Sequence, residues 1–165
     1  MNIKNNKGFS LIEVLITALI VSFSLLGVGA LQLKTHQFNT SASFQSYATI
    51  LAHDMIERMR SNPVGIKNAN YHLPTATQHS DCHTAVGCST SEMAENDMYE
   101  WAGNGMHSIR KVLPAGRAVV CIDSTPNDGI PSSAACDKVG SIYAIKIWWS
   151  GIDATQQRFV TTVGF

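Results

Sequence analysis

Charge is scarce in this 165-residue chain. It carries 12 basic and 12 acidic residues, 15% of the sequence, for a formal net charge of zero. No long run of one sign occurs, which excludes a basic surface for nucleic acid and a poly-acidic tail. Proline is scarce too, with five residues and none before Pro63. Nothing in the first 62 positions therefore forbids a continuous helix. Low-complexity tracts and internal repeats are absent. So are the common catalytic signatures: no Gly-x-Ser-x-Gly, no Walker loop, no His-Glu-x-x-His and no paired carboxylates in a recognisable setting. The six histidines are scattered through polar segments and read as surface residues. An enzyme is not expected, and no cofactor is implied.

What the chain has in abundance is one apolar stretch. Residues 7–33, KGFSLIEVLITALIVSFSLLGVGALQL, hold a single acidic residue, Glu13. A span of this length crosses the hydrocarbon core of a bilayer as a helix. An acidic residue at the centre of such a helix costs roughly 2.5–3.5 kcal/mol, and less toward its end. Glu13 therefore calls for a partner charge that the apolar run itself does not contain. Residues 1–8 are short, polar and basic, like the start of a signal peptide, but residues 25–33 offer no convincing small-residue cleavage site. Lys4 and Lys7 place the amino end on the cytoplasmic side and the remainder across the inner membrane. Without residues 1–8 the side-chain balance is 10 basic against 12 acidic, or −2.

The string Gly8-Phe9-Ser10-Leu11-Ile12-Glu13-Val14-Leu15 resembles the class III signal of type IV pilins and type II secretion pseudopilins. The resemblance implies cleavage between Gly8 and Phe9 by a membrane prepilin peptidase. It also implies N-methylation of Phe9 as the new first residue. Glu13 then matches the family glutamate that pairs with the terminal amine of a neighbouring subunit. That would supply the missing charge, since a buried carboxylate is tolerated when paired. Gly27 and Gly29 each cost up to about 1 kcal/mol in a helix interior and allow loosening or close packing. Many major pilins carry a helix-breaking proline near this region, where this chain has Ala30.

Beyond residue 33 the pattern becomes one-sided. Phe44, Ala48, Leu51, Met55 and Met59 recur at helical spacing and form one face. Asp54 with Arg58 and Glu57 with Arg60 are spaced to pair along the helix. One helix from about residue 9 to 61 would be roughly 80 Å long, and its apolar stripe is too short for sustained heptads. The segment AHDMIERMRSNP, residues 52–63, narrows the resemblance to PilV-type minor pilins through Asp54, Met55, Arg58, Met59, Arg60, Asn62 and Pro63. Arg58 and Arg60 have two readings: a solvated helix end favoured by the macrodipole, or a structural or subunit contact. Asn62-Pro63 ends the helix.

The four cysteines, Cys82, Cys88, Cys121 and Cys136, all follow the apolar stretch, which fits disulfides in an oxidising compartment. Of the three connectivities, Cys82–Cys88 and Cys121–Cys136 are favoured, because each closes a short loop rich in Gly, Ser or Pro. His79, Cys82, His83 and Cys88 sit close in sequence, but their spacing fits no standard zinc module, and no metal is expected. Residues 64–90 read as an irregular loop. A second helix is expected over 92–112, with Ser89 and Glu92 as a capping box and an apolar stripe of Ala94, Met98, Trp101, Gly105, Ile109 and Val112. Residues 117–123, 141–150 and 157–163 read as strands, with turns over 124–140 and 151–156. Trp148 and Trp149 are expected to face opposite sides of the sheet, one toward the core and the other either covered or open as a contact.

The expected fold is α+β and pilin-like: a long N-terminal helix packed on a small antiparallel sheet head with an additional helix. The parts are a leader over 1–8, a membrane and fibre-core helix half over 9–33, an amphipathic half over 34–62 and a globular head over 63–165. The resemblance implies a minor pilin that enters the inner membrane by a single pass, with its head periplasmic, and later reaches the cell surface. Its implied partners are other minor and major pilins, the prepilin peptidase and the inner-membrane assembly platform. The implied roles are pilus assembly or priming, twitching motility and adhesion. Alternatives are a minor pseudopilin of type II secretion, or an adhesin module with a binding patch in loop 64–90 or 124–140.

Overall fold

The computed structural model describes residues 10–165. Helix α1 spans Leu11–Ser61 without a break, as the lack of proline permits. Two compact units divide at Thr40 and Ser41. In the first unit α1 is apolar all round from Leu11 to Leu33, and its large side chains there, and Phe38 beyond, are exposed. It is long and apolar enough to cross a membrane by length and composition. The hydroxyls of Thr17, Ser22, Ser24 and Thr35 donate back to the carbonyls of Val14, Ala18, Ile20 and Leu31. Each hydroxyl thereby satisfies its donor within the helix, which is what a lipid or dry helical bundle demands.

The second unit is a helix-backed sheet. Ala48, Ala52, Met55, Ile56 and Met59 bury one face of α1, with Phe44 and Leu51 packed at its margin. This is the stripe read from the spacing, extended by Ala52 and Ile56. Burial starts at Phe44, so residues 34–43 contribute little to the core. Three antiparallel strands, β1 (Arg117–Ile122), β2 (Ile142–Ser150) and β3 (Gln156–Gly164), run in the order β1-β2-β3. The register sets Val120 opposite Ile145 and Ile147 opposite Phe159. Val120, Ile122, Tyr143, Ile145, Ile147 and Trp149 share one core with the α1 face. Period-two alternation explains why these residues, and not their neighbours, lie on that side.

Asn62 separates α1 from the short helix α2 (Pro63–Lys67), with its side chain accepting from the Gly65 amide at 3.0 Å. The expected second helix is shorter than its stripe. Helix α3 (Thr90–Met98) starts at the Ser89–Glu92 capping box and widens into a π-type turn over Tyr99–Gly103. The chain then breaks, and only a single turn, α4 (Ile109–Val112), follows. Gly103-Asn104-Gly105 causes the break. A Cβ on Gly105 would lie 2.1 Å from the Glu100 carbonyl, so only glycine fits that return of the chain. Trp101 locks the turn to the spine by donating its indole N–H to the Leu51 carbonyl at 2.6 Å. The stretch read as irregular, 64–90, contains α2 and a 3₁₀ turn over Ser80–His83.

The outer face of the sheet is covered, which decides between the two readings of the outer tryptophan. Trp148 is 2% exposed and Trp149 3%. Trp148 faces away from α1 and lines a cavity together with Pro131 and Gly116. The loop between β1 and β2 lies over the same face. Lys146 points into it and is fully buried. Its ammonium lies 2.5 Å from Asp123 and 2.9 Å from Asp128, and donates to the Ala134 carbonyl at 2.8 Å. Disulfides join Cys82 to Cys88 and Cys121 to Cys136, the pairing favoured from loop length. The second closes the loop that Lys146 holds. Replacing Lys146 with Met would leave Asp123 buried without its counter-charge. Lys146→Met is therefore expected to cost about 3–5 kcal/mol, read as a lower thermal midpoint of the full chain in detergent; an unchanged midpoint would refute this role.

Candidate functional site

Two places in the chain gather the residues singled out from the sequence. The first is the start of α1. Glu13 lies in its first turn, with its amide bonded to the Ser10 carbonyl at 2.9 Å. Among the described residues no cation forms an ion pair with Glu13. Its neighbours Ile12, Val14, Ile16 and Leu19 are exposed and apolar. The expected cleavage and methylation positions, Gly8 and Phe9, lie outside the described residues.

The second is the far end of α1, where Asp54, Arg58, Met59, Arg60, Asn62 and Pro63 were singled out. The structure separates them. Met59 belongs to the core. Arg60 is exposed and pairs with Glu57, as the solvated reading expected. Arg58 does more. Its Nε donates to Asp54 at 3.0 Å, and Nη1 reaches Glu100 at 2.8 Å and Asp97 at 3.4 Å. One guanidinium thereby joins α1 to α3 and its π-type extension, a fork that Lys cannot reproduce. Asn62 is buried and donates to the Thr90 carbonyl at 2.8 Å, at the start of α3. Pro63 stands at the first position of α2.

Tyr71, Asp97, Glu100 and Asn96 complete the network, and sequence reading missed them. Tyr71 is buried and donates its hydroxyl to Asp97 at 2.6 Å. Burial pushes the Asp97 carboxyl above the usual range, and outweighs the bonds from Tyr71 and Arg58 that act the other way. Burial also raises Glu100, but here the hydrogen bonds from Arg58 and His83 win and hold it low. Arg58 is desolvated, yet its bonds to Glu100 and Asp54 hold the proton more firmly than in water. Glu100 is shared, because its second oxygen contacts His83 at 2.6 Å, while His79 contacts Glu95 at 2.8 Å. These two histidines tether the Cys82–Cys88 loop to α3 rather than lying free on the surface. His72 is likewise engaged, its Nδ1 accepting from the Ile122 amide at 3.1 Å. Apart from the i,i+4 contact of Asn96 with Glu100, the four missed side chains lie 9 to 42 positions from their partners in sequence. No local periodicity reports such contacts.

The two cysteine pairs are consumed as disulfides, which removes the thiolates a zinc site at His79, Cys82, His83 and Cys88 would need. Cys121, Asp123 and Cys136 also lie within ligand distance of one another, but the same objection holds, and Lys146 already neutralises Asp123.

A long helix, apolar all round at one end and backing a three-stranded antiparallel sheet at the other, defines an α+β fold of the pilin kind. Two family models agree with that class. One, described as the prokaryotic N-terminal methylation motif, matches residues 3–29. The other, described as type IV pilin Tt1218, matches residues 30–99. Together the two matches run over residues 3–99 and support a type IV pilin. No curated protein and no solved structure matches it.

The clasp makes a prediction for alkaline pH. Burial, and after it the bond to the Asp97 carboxylate, pushes the Tyr71 hydroxyl well above its ordinary value. A group whose folded pKa is raised adds stability that is whole below its unfolded pKa, about 10 for Tyr, and is lost as pH rises past it. Tyr71→Phe should therefore cost about 1–3 kcal/mol at neutral pH and flatten the fall in stability above pH ~10. Urea unfolding across that pH range checks it, and an equal alkaline slope in both proteins would contradict it.

Proposed function

We propose that this chain is a minor pilin of the PilV type, acting in assembly or priming of a type IV pilus. The observation that carries the reading is Glu13, a lone carboxylate on an exposed apolar helix with no cation paired to it among the described residues. Such a charge is tolerable in a membrane or fibre core when another group neutralises it. In this reading a prepilin peptidase cleaves between Gly8 and Phe9 and methylates Phe9. The amine so exposed, on a neighbouring pilin, meets Glu13. Before assembly the helix anchors the chain in the inner membrane, with its amino end cytoplasmic and its head periplasmic. Other pilins and the inner-membrane assembly platform are its partners, and twitching motility and adhesion depend on the fibre. The Asp54–Arg58–Asn62 helix end supports the PilV-type assignment. There the matching residues build an interhelical clasp instead of a solvated terminus.

The test is genetic and biochemical together. Deletion should remove surface pili and leave type II secretion intact, while complementation with Glu13→Ala should restore little of the pilus and weaken co-purification with the other pilins. Lost secretion with normal pili would favour a pseudopilin. Full recovery by Glu13→Ala would refute the pairing role.

A further inference from the structure

Beside α1, within the second unit, lies an open cleft of about 670 Å³. One wall is α1 itself, through Ile50, Leu51, Asp54 and Arg58; the other is the turn of 99–107. Its apolar margin is exposed: Ile50 is 63% exposed and Met106 81%. Tyr47, one turn earlier on α1, is exposed as well. Positions 47, 50, 51 and 54 follow the spacing of a ridge that seats a second helix. The charge on this cleft is unequal. Asp54, Asp97 and Glu100 share one guanidinium, that of Arg58, and His83 meets the second oxygen of Glu100, which leaves Asp54, the most exposed of the three, as the surplus carboxylate at the rim.

The same chain contains a segment with the complementary pattern. Leu31, Lys34 and Phe38 fall within one face of α1 by helical spacing. Leu31 and Phe38 are exposed, Phe38 at 72%. Lys34, between them, forms no ion pair among the described residues. Two apolar side chains flanking one ammonium match an apolar cleft with one surplus carboxylate. We infer that the cleft between α1 and residues 99–107 receives the Leu31–Lys34–Phe38 face of a second copy of this chain, with Lys34 of that copy set against Asp54. The contact is heterologous, because the cleft and the ridge are different surfaces. Each copy can then both receive and donate, and the contact can propagate along a fibre. This rests on the pilin reading, since only a polymerising subunit needs such a repeat.

Among the described residues the chain has no free cysteine, so introduced thiols report on proximity. The full chain carrying Phe38→Cys and Met106→Cys is expressed in membranes and mildly oxidised. A ladder of dimers and higher species is expected from the double variant, and no ladder beyond dimer from either single one. Adding Asp54→Lys should lower the crosslinked fraction by roughly two- to fivefold, as an exposed ion pair would, and adding Lys34→Asp as well should restore it. Absence of the ladder, or failure of the charge swap to restore it, overturns the inference. If pili still form and Glu13→Ala still abolishes them, the pilin reading stands while the cleft proposal falls. A chain that never enters the fibre complex removes both.

Discussion

One constraint orders this molecule: a single uninterrupted helix must satisfy two surroundings. Up to Leu33 it is apolar on every side, and the hydroxyls from Thr17 to Thr40 are turned back onto its own carbonyls. From Phe44 onward it is one-sided, and the buried side nucleates the head core. Breaking α1 would disturb both arrangements, which explains why the first proline stands at position 63, just past its end.

The head depends on polar clasps at two depths. On the spine side, Arg58 and Asn62 join the end of α1 to α3, and Tyr71 seals Asp97 beneath them. On the outer face, Lys146 holds the loop closed by Cys121–Cys136 against the sheet. Both place charge in a poorly hydrated site, where a pair costs desolvation and its rupture costs more. Such clasps contribute more to fixing one arrangement of helix and loop than to net stability. A three-stranded sheet with one backing helix is a small core, and the two disulfides compensate for its size.

Much of this was legible in the sequence, for particular physical reasons. The α1 stripe, the capping box at Ser89 and the three strands follow from local periodicity and local hydrogen bonding. The cysteine pairs follow from short loop closure. Trp148 and Lys146 were not legible, because what covers the outer face of β2 is a loop whose path periodicity does not encode. The second helix was overextended, since Ile109 and Val112 kept the apolar spacing across the break that Gly103-Asn104-Gly105 imposes. Arg58 could be read only as far as its i,i+4 partner Asp54, and its contacts with Glu100 and Asp97 emerge only in three dimensions.

In the proposed function α1 becomes an assembly helix by losing its leader and exposing a methylated amine that another subunit's Glu13 can neutralise. Intact-mass measurement of the chain isolated from cell envelopes tests this most directly. A polypeptide beginning at Phe9 and heavier by one methyl group is expected. A chain that still begins at Met1, or a mature chain with an unmethylated amine, would contradict it.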